Sequence, residues 1–287
     1  WLIPRIRLWL RSLNPPPNEL VEPFAGGAIV GLTAIFEGLV ERVTLVELDE
    51  EVGAVWQTIL NGNGKRLADD IAKFQVSVDA VRAVMEAPRR SVYETAFATI
   101  LKNRVQRGGI LASGASLMKS GENGRGITSR WYPRTLQRRI LAIAARRERI
   151  AFIQGDGFEV MRQNASRPEV AYFIDPPYTK AAKRLYTHFA VDHEALFRLA
   201  STLAGDFLMT YDNAPEIHYL ARKYGFDTEE IAMKNTHHAK KTELLVGCNL
   251  DWARPRTGGV EPSGNSPRPP APVPPPVAWG WMARRRG

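Results

Sequence analysis

The chain has 287 residues, 44% of them hydrophobic and 24% charged, with a formal net charge of +9. It is long enough to bury a sizeable core and is neither collagenous nor wholly disordered. Its one cysteine, Cys248, excludes an internal disulfide framework and any four-cysteine zinc site. No run approaches the roughly 20 apolar residues that span a bilayer, and Arg5 and Arg7 interrupt an apolar start that has no small-residue cleavage site. A membrane-free, cytoplasmic protein is expected.

Residues 2–13 carry apolar side chains at a period near 3.6 and predict a helix, stopped by Asn14-Pro15-Pro16-Pro17. A short strand over 19–23 runs into a glycine-rich turn, followed by a helix over 28–38, a strand over 42–47 and a helix over 50–60. Strand, tight turn, helix and strand make a βαβ unit and hence a parallel sheet. Residues 61–149 are helix-rich, polar and basic, without strand alternation apart from Ile110-Leu111, and read as an insertion. Strands resume at 150–154, 170–174, 206–211, 228–233 and 243–248, with helices at about 192–204 and 214–224. From Asp251 the chain is proline-rich and ends Ala-Arg-Arg-Arg-Gly, too poor in apolar residues to order itself. The expected organisation is a discontinuous α/β domain of residues 1–60 and 150–250, an insertion at 61–149 and a disordered tail at 251–287. Trp1, Trp9 and Trp56 read as core residues.

The charge is concentrated. Between Lys102 and Arg149 twelve basic residues face only Glu122 and Glu148, a net +10 against +9 for the whole chain. Residues 134–149 predict an amphipathic helix with Leu136, Ile140, Leu141 and Ala144 inward, so its arginines are either a solvated face or a polyanion-binding one. Residues 112–129, with Gly114, Gly121, Gly124, Gly126, Lys119 and Arg125, read as a mobile basic loop suited to a phosphate backbone. Within this segment Trp131 and Tyr132 are either packing anchors, the favoured reading, or a wedge for a nucleic-acid duplex.

Three turns carry the chemistry. Asp175-Pro176-Pro177-Tyr178 directly follows the apolar run Val170-Ala171-Tyr172-Phe173-Ile174. Two prolines cannot extend a central strand, so the chain leaves the sheet at the carboxyl edge, where open parallel sheets hold ligands. A carboxylate, outward carbonyls and an aromatic plate suit a planar ring bearing an amino group; the alternative is a plain turn with Tyr178 plugging the core. The second turn, Pro23-Phe24-Ala25-Gly26-Gly27, lets backbone approach a ligand at a helix start. It is not the G-x-G-x-x-G dinucleotide fingerprint, which argues against a nicotinamide enzyme. Glu47, twenty residues after Gly27 at the end of the next strand, stands where an acid grips ribose hydroxyls in nucleoside-binding βαβ units, or is a solvated strand-end glutamate. In the third turn, Gln154-Gly155-Asp156-Gly157-Phe158, Asp156 suits an acceptor for a ring amine and Phe158 a packing surface, although Gly-Asp-Gly is also a common turn.

Together these pieces resemble the DNA adenine-N6 methyltransferases of the alpha motif order, in which a Phe-x-Gly-Gly cofactor motif comes first, the target-recognition insertion next and Asp-Pro-Pro-Tyr last. Here the order is 24–27, then 61–149, then 175–178, and the resemblance runs over nearly all of residues 1–250. Asn103-Arg104, Gly109-Ile110-Leu111 and Arg130-Trp131-Tyr132-Pro133 are similar to the insertion of phage-type and restriction-associated members. Tyr186 to Phe189, Met209 to Asn213 and Lys241 to Val246 are similar to later segments. The family's Gly-Gly-Lys segment, whose lysine helps hold the cofactor, would lie just upstream of Trp1.

The resemblance implies an α/β, Rossmann-like S-adenosylmethionine-dependent methyltransferase fold with a helical target-recognition insertion. It implies that Pro23, Phe24, Ala25, Gly26 and Gly27 line the cofactor pocket, Glu47 holds the ribose, and Asp156 with Phe158 holds the cofactor's adenine. Asp175 and the Pro176 carbonyl, ahead of Pro177, would hold the target amine, and Tyr178 would stack on an adenine flipped out of duplex DNA for direct in-line transfer. Arg104, Lys119, Arg125, Arg130 and Arg134 would meet double-stranded DNA, and a cognate restriction endonuclease is a candidate partner whose existence the sequence leaves open.

Methylation at cytosine carbon 5 needs a thiolate, and Cys248 lies far from these motifs in sequence, where it reads as a small buried hydrophobe. His237 and His238, near Lys240 and Lys241, have too few neighbouring ligands for zinc and read as a hairpin turn that touches DNA. The rivals are cytosine-N4 methylation, which more often uses Ser in place of Asp175, RNA or protein-amide methylation, usually with Asn there, and a catalytically silent DNA-binding module of the same fold.

Overall fold

The computed structural model describes residues 1–109, 111, 116–119, 124–177, 191–233 and 241–254. Its centre is a seven-stranded sheet of β1 (Glu19–Glu22), β2 (Arg42–Glu47), β3 (Ile150–Gln154), β4 (Val170–Ile174), β5 (Phe207–Asp212), β6 (Asp227–Met233) and β7 (Lys241–Gly247), in the order β3-β2-β1-β4-β5-β7-β6. The first five strands in that order are parallel, and β7 runs antiparallel between β5 and β6. β4 is buried along its whole length, as a continuous apolar run in a sheet covered on both faces should be. Glu22 pairs with Leu45, Val21 with Tyr172 and Ile174 with Met209, so β1, β2, β4 and β5 end along one edge. The order reverses between β1 and β4, which makes that edge the topological switch point of a doubly wound, Rossmann-like sheet.

Ten helices accompany the sheet among the described residues: α1 (Leu2–Ser12), α2 (Ile29–Phe36), α3 (Glu50–Thr58), α4 (Gly64–Lys73), α5 (Val78–Glu86), α6 (Val92–Val105), α7 (Pro133–Ala144), α8 (Gly157–Asn164), α9 (His193–Ala200) and α10 (Pro215–Lys223). α8, α9 and α10 bury Val160, Met161, Leu196, Phe197, Ile217 and Leu220 against one face. On the other face α1, α2 and α3 share a cluster with Leu20, Leu45, Phe173 and Leu208. None of these helices is long and apolar enough to cross a membrane.

The insertion does not stand apart from this core. Leu67, Ala68 and Ile71 of α4, Ala96 and Ile100 of α6, and Leu136, Ile140 and Ile143 of α7 belong to the same cluster as the sheet residues; each large apolar side chain so buried contributes about 1.5–3 kcal/mol. Val81, Leu101 and Val105 form a small satellite cluster of their own among the described residues. Ser77 and Ser91 cap α5 and α6, their hydroxyls accepting the Ala80 and Glu94 N–H bonds at 3.1 and 3.2 Å, which fixes where those helices start.

Several expectations change. In α7 Leu136 and Ile140 are buried and Ala144 packs against the core as expected, but Ile143 takes the inward place given to Leu141, which is exposed. Trp9 and Trp56 are buried but Trp1 is exposed. Order also continues past residue 250: Asp251–Ala253 forms a 3₁₀ turn, and Arg254 pairs with Asp227, Glu229 and Asp251 at 2.5, 3.3 and 2.9 Å. Residues 255–287, the rest of the expected tail, lie outside the described residues, as do Ile110, Gly114, Gly121, Glu122, the segment 186–189 and the cluster from His237 to Lys240.

Candidate functional site

β1 leaves the sheet through Pro23-Phe24-Ala25-Gly26-Gly27-Ala28 before α2 begins. The turn requires left-handed backbone, with φ of +49° at Gly26 and +47° at Ala28. For an alanine this costs roughly 1–2 kcal/mol, and such strain persists only where the surroundings impose it. They do so here. Ala25 donates its N–H to the Val46 carbonyl at 2.9 Å, Ala28 donates to the Ala25 carbonyl at 2.7 Å, and the Trp56 indole donates to the Gly26 carbonyl at 2.9 Å. Glu22, buried at the end of β1, accepts the Gly31 N–H of α2.

Glu47 closes this turn from the end of β2. Its Oε2 accepts the Gly26 N–H at 2.8 Å, and its Oε1 accepts the N–H groups of Leu48 and Asp49 at 2.9 and 3.0 Å. The two features singled out separately in the sequence, the glycine turn and the strand-end acid, are therefore bonded to each other. Asp156 follows β3 and caps α8, its Oδ1 accepting the Phe158 N–H at 2.9 Å. This capping role adds to the expectation, which assigned the carboxylate to a bound ring. The Phe158 ring stands edge-on to Phe24, with centroids 6.2 Å apart and planes at 87°. Gly157 leaves no room for a side chain, because a Cβ there would lie 2.1 Å from the Pro23 carbonyl oxygen. That close approach seats the start of α8 against the β1 turn. Pro23, Phe24, Ala25, Gly26, Gly27, Glu47, Asp156 and Phe158 thus form one continuous stretch of the edge.

β4 brings Asp175 to the same edge, between the ends of β1 and β5. Asp175 is half-buried, and Pro176 and Pro177 are buried. Its Oδ1 accepts the Thr210 hydroxyl at 2.8 Å. Nearby, Tyr211 Oη shares a hydrogen bond of 3.1 Å with His193 Nδ1 at the start of α9. Burial, then the charges of Asp175 and Glu216, hold the Tyr211 phenol well above its ordinary range, and burial lowers the His193 imidazole. The pair is therefore neutral at physiological pH. Tyr178 lies outside the described residues.

The basic insertion divides by exposure. Lys119, Arg125 and Arg134 are exposed, the last donating to Gln137 at 3.2 Å. Arg130 is half-buried, with its guanidinium packed over Gly109. Arg104 is the most enclosed: its Nε and Nη2 are buried, and burial, then the charges of Arg130 and Arg139, lowers it to about 10. It remains protonated at neutral pH. Trp131 packs edge-on to Phe74 at 5.9 Å and acts as an anchor, whereas Tyr132 is exposed.

Cys248 is exposed, not buried as expected. Partial burial and then the Asp206 carboxylate push its thiol up to about 11, so it is no thiolate nucleophile at neutral pH. Sequence reasoning took Met209 to Asn213 only as a segment similar to the family and missed the bond of Thr210, the polar bond of Trp56 and the His193–Tyr211 pair. The signal in the residues themselves was a threonine directly after the apolar run Phe207-Leu208-Met209.

No protein-family model and no curated protein sequence matches the chain. Solved structures that resemble it include the B. subtilis M1A22 tRNA methyltransferase TrmK, at TM-score 0.38 and 11% identity over 87% of this chain and 66% of that one. An SAM-dependent methyltransferase from Agrobacterium tumefaciens gives 0.40 and 10% over 86% and 60%. Precorrin-6y C5,15-methyltransferase from Geobacter metallireducens gives 0.39 and 9% over 86% and 87%. At these scores the fold assignment rests on the strand order and register of this chain.

Proposed function

We propose that the protein is an S-adenosylmethionine-dependent methyltransferase that modifies the exocyclic N6 amine of adenine in duplex DNA. The observation that carries the reading is the gathering of the glycine turn, Glu47, Asp156 and Asp175 at the switch-point edge, from four different strand ends.

The edge fits a nucleoside cofactor. Gly26 allows close backbone approach, Glu47 is an acceptor suited to paired hydroxyls, and Phe24 and Phe158 offer apolar rings. When bound, S-adenosylmethionine supplies an electrophilic methyl group. The chain's own residues then have distinct tasks. Asp175 and the Pro176 carbonyl accept the two N–H bonds of the target amine, which leaves the nitrogen lone pair directed away from both. Tyr178 replaces stacking lost when the base leaves the duplex, worth roughly 1–3 kcal/mol. Holding the amine in register accounts for much of the rate enhancement, and Asp175 need not be a strong base. Exposed Lys119, Arg125 and Arg134 supply phosphate contacts.

The test pairs calorimetry of S-adenosylmethionine binding with transfer of labelled methyl to duplex DNA. Binding by the wild type, with transfer that Asp175→Ala abolishes while cofactor binding survives, supports the reading. A protein that binds no S-adenosylmethionine, or an Asp175→Ala variant of full activity, refutes it.

A further inference from the structure

In the central strand β5, Thr210 is fully buried. A valine of the same shape would pack there without a hydroxyl to desolvate, and a buried hydroxyl needs a partner. Thr210 Oγ1 donates to Asp175 Oδ1 at 2.8 Å. The bond follows from the register: Ile174 pairs with Met209 in parallel strands, so the next residue on each strand projects to the same face at neighbouring positions.

A comparison within the site shows what the Thr210 side chain supplies. Glu47 is oriented by the backbone N–H groups of the two residues that follow it, Leu48 and Asp49. Asp175 is followed by Pro176 and Pro177, which have no N–H to donate. The diproline that turns the chain out of the sheet therefore lacks the counterparts of the two backbone donors, from the next two residues, that orient Glu47.

Building on the methyltransferase reading, we propose that Thr210 is a positioning residue: its hydroxyl holds the Asp175 carboxylate through Oδ1, so that Oδ2 accepts the N–H of the substrate amine. Without that bond the carboxylate loses a contact that sets its side-chain torsions, and the amine loses its register with the methyl donor. A misplacement of about 1 Å costs roughly 10²-fold in rate.

The experiment uses the full chain with Thr210→Val, Thr210→Ala and Thr210→Ser. Under single-turnover conditions with saturating S-adenosylmethionine and duplex DNA, Val and Ala lower the transfer rate by about 10²-fold. Both keep wild-type affinity for S-adenosylmethionine by calorimetry, and Ser restores most of the rate. Wild-type transfer by Val or Ala overturns the proposal, as does a Ser variant as slow as either. The ¹³C resonance of the Asp175 carboxyl, assigned from its loss in Asp175→Asn, gives an arm independent of turnover: it shifts in Val or Ala and stays in Ser. An unshifted resonance overturns the proposal. Absence of methyl transfer by the wild type overturns the functional reading and leaves this resonance to decide the role of Thr210.

Discussion

Asp175 and Glu47 are both carboxylates at strand ends, but their surroundings give them different work. Glu47 accepts three backbone N–H bonds and ties the glycine turn to β2. Glu47→Gln loses charge-assisted bonds worth about 1.5–3 kcal/mol each, and it should weaken S-adenosylmethionine binding by at least 10-fold in calorimetry while also loosening the turn. Asp175 is bonded to the Thr210 side chain and in the proposed reaction holds the target amine, so Asp175→Ala should cost about 10³-fold in transfer, comparable to removing a catalytic hydrogen-bonding group, with cofactor affinity unchanged. His193 gives a third test. Its pKa is lowered by burial beside Tyr211, so the unfolded chain takes up a proton before the folded one does. Its contribution to stability is complete above about pH 6.5 and is lost as the pH falls through the lowered value. Thermal unfolding followed from pH 7.5 to 5 should fall more steeply for the wild type than for His193→Gln; parallel curves would contradict the assignment.

At the scale of elements, β2, β3 and β4 occur at the positions the sequence predicts, because each is a short apolar run bounded by charge, glycine or proline. The strands beyond Asp206 shift by one or two residues, and their order was not legible: nothing in the local pattern of Asp227–Met233 or Lys241–Gly247 says that the last strand enters between the two before it. The same limit applies to the insertion. Composition marked 61–149 as polar and basic, yet α4, α6 and α7 share the sheet's core, since a helix's polar face dominates its composition while its narrower apolar face decides where it packs. The β1 turn and α8 read as two separate motifs in the sequence and are in fact packed against each other at Gly157. Gly157→Ala forces a Cβ into the Pro23 carbonyl; loss of stability by about 2 kcal/mol or more is expected in urea unfolding, with weaker cofactor binding. A variant as stable as the wild type would show that the two segments are not tightly packed in solution.

Across the whole molecule, only part of the positive charge concentrated in 102–149 is exposed and open to a polyanion. Lys102 pairs with Glu51 at 2.7 Å, Arg147 pairs with Glu148 at 3.1 Å, Arg146 lies over the Phe36 ring, and Arg149 donates to the carbonyls of Val40 and Glu41. Lys102, Arg146 and Arg149 brace the insertion and its return to β3, whereas the Arg147–Glu148 pair is an exposed contact between adjacent residues. Arg107, Lys119, Arg125, Arg134 and Arg138 remain exposed, and on the proposed reading they are groups that would release counterions from DNA. Replacing Arg125 and Arg134 by Gln should lower the slope of log affinity against log salt by about 0.9 for each phosphate that is no longer neutralised; an unchanged slope would place the DNA on another face. The residues proposed to hold the cofactor stand out in the sequence, whereas their convergence required the sheet, and the Thr210 bond required its register. The most direct test of the methyltransferase assignment is to incubate the protein with S-adenosylmethionine and random-sequence duplex DNA, then map every modified base. The expected product is N6-methyladenine within a defined sequence context. Methyl groups on cytosine, or unmodified DNA from a protein that binds the cofactor, would contradict it.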